Sequence, residues 1–370
     1  MRPAWGFTTT AIHGGTNPDP LGTIPIPIYQ TATFQFHTVA EGAERASGDH
    51  PAFYTRWSNP NTDYVEAKMA LLEGGEAALA VASGMAAVSK AALAVVRGGD
   101  HAVVPGPVYS ATYELFAKLL PQYGVEATFV DPIDPENYAR AMRPNTKLVY
   151  VETPANPMMT VTDIAAVAAI GRRAGATVIA DNTFATPYNT RPLEWRVDVV
   201  VHSATKYIGG HHTVVGGIIV GSQAFIRRAF DQLRILGGSI DPFAAWLLGI
   251  GVQTMALRVE RQNHSALAVA EFLARHPKVE RVHYPGLPSH PNHDVARRQM
   301  RGFGGMLAFE VKGGLEGGRQ CVEHLRLMKL AVSLGGVSTL VTHAASTTHV
   351  KVPREDRLRA GITDGLIRVS

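Results

Sequence analysis

The sequence predicts an α/β protein with a mainly parallel sheet covered by helices on both faces. Three observations predict it. Between about residues 56 and 245, short apolar runs alternate with stretches long enough for helices, the pattern of repeated βαβ units. Several of those runs end in a polar residue, namely Glu152, Asp181 and Ser203. In such sheets the strand C-termini face the ligand crevice. After about residue 246 the texture changes, and a long helical stretch leads away from the alternating region.

In chain order, residues 1–55 are rich in Thr, Gly and Pro and read as an extended arm with little core of its own. Such an arm lies on the rest of the chain or on a partner subunit. Residues 56–245 carry the apolar runs "HAVVP", "ATFVD", "KLVYVE", "TVIAD" and "DVVVHS", with "DPENYARAM" and "DIAAVAAIGRRAG" as helices among them. Residues 246–370 open on "WLLGIGVQTMALRVERQNHSALAVAEFLARHP", read as one long helix, bent or straight, that bridges into a second domain. A loop, "HYPGLPSHPNH", and a strand, "GGMLAFEVKGG", follow. No internal repeat is visible.

The 370 residues suffice for two domains and a large core, and 46% apolar with 18% charged residues is an ordinary globular composition. A net charge of +4 without a dense Lys/Arg cluster gives no reason to expect nucleic acid. The single cysteine, Cys321, rules out an internal disulfide, fits a cytoplasmic home and has helical packing around it. "MRPAWGFTTT" lacks the apolar stretch of a signal peptide. The Ala-rich stretch near residue 85 is broken by Ser83, Gly84, Ser89 and Lys90, so a strand–turn–helix is expected there rather than a membrane span.

The usual nucleotide fingerprints fail: no G-x-G-x-x-G follows a strand, and there is no G-x-x-x-x-G-K-[ST]. His211–His212 and His290 with His293 lack further partners at ligand spacing, so no metal site is expected. The remaining polar positions suit an anionic, aromatic, carbonyl-bearing cofactor. Ser83–Gly84–Met85 lies between a strand and a helix, either a plain turn or a phosphate seat at the helix N-terminus. Ser203 and Thr205 could add hydroxyls to the same phosphate. Asp181 at a strand end is costly unless paired. It either caps the next turn or holds a protonated ring nitrogen, which makes the ring an electron sink. Lys206 follows the strand "DVVVHS" and precedes two glycines; an amine placed there becomes a nucleophile when burial or a cation lowers its basicity. Tyr109, in "GPVYSATYELF", is either a core tyrosine or one that stacks on a planar ring or moves a proton.

Together, "SATKYIGGH", "ETPANP", "DNTFATP", "YTRWSNPN", "ASGMAA" and "SLGG…HAASTTH" resemble the pyridoxal-phosphate enzymes of cysteine and methionine metabolism. That group includes cystathionine γ-synthase, cystathionine γ-lyase, methionine γ-lyase and O-acetylhomoserine sulfhydrylase. The resemblance runs from about residue 8 to the end. It implies fold type I, like aspartate aminotransferase, with a seven-stranded, mainly parallel sheet and a smaller C-terminal α/β domain. It implies a homotetramer of two tight dimers and an amino-acid substrate. It makes Lys206 the Schiff-base lysine, Asp181 the ring-nitrogen partner and Tyr109 the stacking tyrosine and acid–base. Ser83, Gly84, Met85, Ser203 and Thr205 become phosphate contacts, and Asn156 lies near the ring hydroxyl. Tyr54 and Arg56 match a pair that reaches the phosphate of the neighbouring subunit, which gives the arm a purpose. Arg368, with Ser333 beside it, matches the arginine that clamps the substrate carboxylate, a task suited to guanidinium.

The implied activity is α,γ-elimination from L-methionine or L-cystathionine to 2-oxobutyrate, ammonia and a thiol. The alternative is γ-replacement, as in O-acetylhomoserine sulfhydrylase or cystathionine γ-synthase. Three departures bear on the choice. Ala111 stands where methionine γ-lyases carry cysteine. Ser338 stands where cystathionine enzymes carry glutamate. The sequence stops at Ser370, where relatives continue through about one more helix.

Overall fold

Seven strands form one sheet in the order β1-β7-β6-β5-β4-β2-β3, as seen in a computed structural model describing residues 5–15, 19–47, 53–350, 353–359 and 361–370. They are β1 Ala77–Val81, β2 His101–Pro105, β3 Glu126–Val130, β4 Thr146–Glu152, β5 Thr177–Asp181, β6 Val199–Ser203 and β7 Gly217–Gly221. β3, β2, β4, β5 and β6 pair in parallel, and β7 runs antiparallel to both β6 and β1. Only β7 is reversed, so the C-termini of β1, β4, β5 and β6 share one edge with the start of β7. The sequence pattern could not show that reversal, because the apolar run Gly217–Gly221 is buried along its whole length. A strand covered on both faces carries no alternation to read.

The apolar runs form strands because β-branched residues fill them and helices cover both faces. One face packs on the helices Pro60–Glu73 and Pro242–Gln253, with Val65, Met69, Val200, Ile218 and Leu248 buried between. The other packs on Gly84–Leu93 and Gln223–Leu236, with Val88, Ala91, Val201, Ile219 and Leu233 buried. Asn59 caps Pro60–Glu73 through a reciprocal capping box with Thr62, and Gly74 ends it at φ 78°.

Five strands form a second, largely antiparallel sheet in the order β10-β11-β12-β9-β8. They are β8 Val279–His283, β9 Leu307–Val311, β10 Lys329–Leu330, β11 Leu340–His343 and β12 Leu366–Val369. The predicted long helix is two helices, Pro242–Gln253 and Met255–Ala274, bent by 61° about Thr254. Ala245, Leu248, Val252, Met255 and Val259 belong to the core under the large sheet, whereas Ala266 and Ala270 belong to the core of the small one. Among the described residues no single helix is long and apolar enough to cross a membrane.

The described part of the arm is less extended than the composition suggested. It contains the helices Phe7–His13 and Val39–Ser47, and Phe7 and Ala11 enter the large core. Asn61 fixes the arm by accepting from Tyr29 N at 2.7 Å and donating to the Pro27 carbonyl at 2.8 Å. Lys68, fully buried, donates to the carbonyls of Ala11 and Ile12 at 3.0 and 2.9 Å. A cation there meets the negative end of helix Phe7–His13, and burial pulls its ammonium down to about 8.

Candidate active site

Lys206 lies three residues beyond the end of β6. Its Nζ donates to Ser333 Oγ at 3.1 Å. Burial, and then the Arg368 charge, holds its ammonium below the usual lysine range. Both effects disfavour a charged amine and favour a nucleophilic one.

Ser333 has φ 80°, a left-handed conformation that aims its hydroxyl at Lys206 and its carbonyl elsewhere. That carbonyl accepts from Arg368 Nη2 at 2.9 Å, and Arg368 Nη1 donates to Asn156 Oδ1 at 3.0 Å. Thus β12, the 333 loop and the loop after β4 meet at one guanidinium. The Asn156 N–H in turn donates to Glu152 Oε1 at 3.4 Å, and Tyr109 N donates to Glu152 Oε2 at 2.9 Å. The Tyr109 residue is half exposed, just ahead of the short helix Ser110–Glu114.

Asp181 is the register partner of Glu152 across β5 and β4. Its Oδ1 accepts from Thr183 N at 3.0 Å and its Oδ2 from Tyr150 OH at 3.2 Å. Burial raises the Asp181 carboxyl, with the Thr183 hydrogen bonds opposing. Glu152 is pushed up to about 8 by burial and then by the Asp181 charge. Two adjacent buried acids with raised pKa values form a place where a protonated ring nitrogen would be stabilised.

Ser83 caps helix Gly84–Leu93, its Oγ accepting from Ala86 N at 3.1 Å. The first N–H groups of that helix have no partner within it. The packing here demands glycine: a Cβ on Gly84 would sit 2.7 Å from Ser203 Cβ, and one on Gly217 would sit 2.1 Å from the Ser83 carbonyl oxygen. Met85 Sδ accepts from Thr112 Oγ1 at 3.6 Å. Ser203 N donates to Thr183 Oγ1 at 2.8 Å, which ties the end of β6 to the turn after β5. Thr205 Oγ1 is engaged with Gly216, accepting from its N–H at 3.1 Å and lying 3.3 Å from its carbonyl.

Tyr54 and Arg56 lie beside residues 234–239. Arg56 stacks 5.4 Å from the Tyr54 ring centroid, donates to the Arg234 carbonyl and accepts through its own carbonyl from Ser239 Oγ at 2.6 Å. The fold therefore brings together Lys206, Ser333, Arg368, Asn156 and Tyr109 and sets Asp181 alongside through Glu152. It holds Tyr54 and Arg56 against residues 234–239, of which Gly238 and Ser239 pair with Ala82 and Val81. His290 Nε2 and His293 Nδ1 bond to the carbonyls of Met159 and Pro285, and no group of three metal-ligating side chains occurs among the described residues.

The sequence reading assigned no role to three contributors. Glu152 was visible as a polar strand end, but its link to Tyr109 spans 43 positions. Tyr150 looks like one apolar residue among many in β4, and Thr183 carries no signal beyond following Asp181.

The residues fit pyridoxal phosphate. A helix N-terminus faces Ser203 for a phosphate, a buried carboxylate suits a ring nitrogen, and a depressed amine suits an aldehyde. Residues 8–370 match the family model described as Cys/Met metabolism PLP-dependent enzyme. The chain is 47% identical over 369 residues to an L-methionine gamma-lyase of Porphyromonas gingivalis, covering 99% of this chain and 92% of that one. It is 40% identical over 365 residues to an O-succinylhomoserine sulfhydrylase of Pseudomonas aeruginosa, covering 98% and 91%. The crystal structure of cystathionine gamma-lyase from Lactobacillus plantarum complexed with L-serine superimposes with a TM-score of 0.92 at 38% identity, covering 99% and 94%.

Proposed function

This chain belongs to the PLP-dependent enzymes of Cys/Met metabolism, and from that membership we propose that it is a carbon–sulfur γ-lyase. It cleaves L-methionine or L-cystathionine to 2-oxobutyrate, ammonia and a thiol. The observation that carries this reading is the Lys206–Ser333–Arg368 chain, an amine of lowered basicity 3.1 Å from the serine whose carbonyl seats the guanidinium.

Pyridoxal phosphate, when bound, supplies an aldehyde for amines and a ring that absorbs the electron pair left at Cα. The chain's residues do the rest. Arg368 orients the substrate by its carboxylate, with Ser333 beside it. Lys206 takes the α-proton and carries protons between Cα and Cβ. Tyr109, at the half-exposed mouth, protonates the departing sulfur. Asp181 keeps the ring nitrogen protonated, and Asn156 stands by the ring hydroxyl. Gly84 and Met85 at the helix N-terminus, with Ser83, Ser203 and Thr205, hold the phosphate. Tyr54 and Arg56 serve the phosphate of the neighbouring subunit in a homotetramer whose sites each draw on two chains. The single cysteine suits a cytoplasmic enzyme.

The second reading, γ-replacement, is favoured by the likeness to a sulfhydrylase and by Ala111. One assay separates the two. Purified holoenzyme receives L-methionine or L-cystathionine without added thiol or sulfide, and 2-oxobutyrate is followed. Prompt release supports the lyase, and the faster substrate names it. No release, with the cofactor's visible absorbance intact, transfers the assignment to replacement on an activated homoserine ester.

A further inference from the structure

Glu152 is the last residue of β4 and is 4% exposed. It stands in register with Asp181, the last residue of β5, so two acids lie side by side in the sheet. Burying one acid beside another is unfavourable, and an apolar residue at the same strand end avoids that penalty. Stability alone does not account for an acid here.

A carboxyl group offers two acceptor oxygens, an amide one and a hydrocarbon none. Both oxygens of Glu152 are engaged. Oε2 accepts from the Tyr109 N–H at 2.9 Å, and Oε1 accepts from the Asn156 N–H at 3.4 Å, the longer and weaker of the two. β2 and β4 are parallel neighbours, so the loop after β2, with Tyr109, and the loop after β4, with Asn156, leave the sheet at one edge. Glu152 ties these two loops together. Both the carboxylate and the neutral acid can accept there, so the tie requires no particular charge.

Tyr109 has need of such a tie. It is half exposed, so packing does not fix its ring. It leads into a helix of only five residues, Ser110–Glu114, and makes no side-chain cap to it. A helix that short holds its first residue weakly. The bonded N–H belongs to the nitrogen beside the Cα that bears the ring, so fixing it fixes where the side chain departs. On the other side, Asn156 Oδ1 accepts from Arg368, Arg368 donates to the Ser333 carbonyl, and Ser333 Oγ accepts from Lys206. Glu152 thus joins Tyr109 to the series that ends at the reactive amine.

We propose that Glu152 is a positioning residue that sets Tyr109 at a fixed place relative to Asn156, Arg368, Ser333 and Lys206. The proposal rests on the role given above to Tyr109. Glu152 acts through backbone N–H groups rather than on the reacting atoms.

The test compares Glu152→Met, which keeps the length and loses both acceptors, with Glu152→Gln, which keeps one acceptor for two N–H groups. Each is made alone and with Tyr109→Phe, which keeps a ring and loses the hydroxyl. Four quantities are measured: equilibrium binding of pyridoxal phosphate to stripped protein, circular dichroism of the cofactor's visible band, kcat by 2-oxobutyrate release, and the melting temperature of stripped protein. Glu152→Met is expected to weaken cofactor binding about three- to tenfold, reduce the visible dichroism and lower kcat about tenfold. Glu152→Gln shows the same changes, smaller in size. Beside Tyr109→Phe the kcat factor shrinks to below about twofold, whereas the binding effect persists because a ring is still there to be misplaced. A residue that merely fills the sheet edge predicts a lower melting temperature and the same kcat factor in both backgrounds. That result, or unchanged binding and dichroism in Glu152→Met, overturns the proposal. If Tyr109→Phe runs at the wild-type rate, the acid role of Tyr109 falls, and binding and dichroism decide for Glu152. If the wild-type enzyme releases no 2-oxobutyrate, the lyase reading falls, and the same two measurements decide. If Glu152→Met does not fold, Glu152→Gln is read in its place.

Discussion

Lys206 Nζ donates to Ser333 Oγ across 3.1 Å, joining the turn after β6 to a residue 127 positions further on. The hydroxyl holds the amine in line with Arg368, which binds the carbonyl of the same serine. Ser333→Ala removes one such hydrogen bond, a loss of about 0.5–1.5 kcal/mol. The expected outcome is a kcat about three- to tenfold lower with KM little changed, read by 2-oxobutyrate release.

Arg368 donates to the Ser333 carbonyl and to Asn156 Oδ1, and the proposed function asks it to bind the substrate carboxylate as well. Lysine cannot make two parallel bonds from one planar group. Arg368→Lys is expected to lower kcat/KM by about 10- to 100-fold, chiefly through KM, from the usual worth of hydrogen bonds to charge. Steady-state kinetics on the γ-lyase substrate checks it.

Two glycines at the shared strand edge differ in what an added methyl would strike. At Gly84 it meets the Ser203 side chain at 2.7 Å, and at Gly217 the Ser83 carbonyl oxygen at 2.1 Å. Neither obstacle can rotate away, since Ser203 Cβ is fixed by its backbone, whose Cα also lies at 3.0 Å, and the Ser83 carbonyl opens a helix. The closer approach at Gly217 makes that clash the worse one. Gly84→Ala is expected to cost about 1–2 kcal/mol and Gly217→Ala about 3 kcal/mol in urea unfolding. Both should weaken cofactor binding, since both shift the helix N-terminus away from Ser203.

His290 is buried against the Met159 carbonyl, with Nε2 at 3.1 Å, and burial lowers its pKa to about 4 from 6.5. The unfolded chain takes a proton between those values and the folded chain does not. Stability therefore rises with pH across the window and is lost as pH falls from about 6.5 towards 4, by about 3 kcal/mol in all. His290→Gln is expected to flatten that acid limb while leaving the pH above 7 unaffected. Denaturation curves at pH 5 and pH 8 measure the difference.

Ser338 is exposed in the loop that follows Ser333. The resemblance assigns that position to the substrate's distal end, so Ser338→Glu is expected to place a carboxylate for a distal ammonium. The ratio of kcat/KM for L-cystathionine over L-methionine should then rise about tenfold. An unchanged ratio would remove Ser338 from the substrate path.

Strand ends and apolar runs were legible because each is a local pattern, and Lys206, Asp181 and Ser203 all stand at such ends. The direction of β7 was not, since a strand buried on both faces carries no alternation. The sequence allowed a bend but did not place it at Thr254, because the helical spacing of apolar residues resumes directly after Gln253 and Thr254. Arg368, Ser333 and Asn156 gave no local signal beyond a likeness to known motifs. Only the fold shows that one guanidinium joins them. Glu152 and Tyr109 are separated by 43 positions, and neither segment points to the other. Their meeting is a product of topology.

The helix Met255–Ala274 places Met255 and Val259 in the core of the large sheet and Ala266 and Ala270 in that of the small one. Neither sheet can lose its packing without disturbing this one rod. The two sheets should therefore melt as one cooperative unit, with one calorimetric transition rather than two. The amides at the middle of that rod should exchange with solvent only as fast as the whole protein opens.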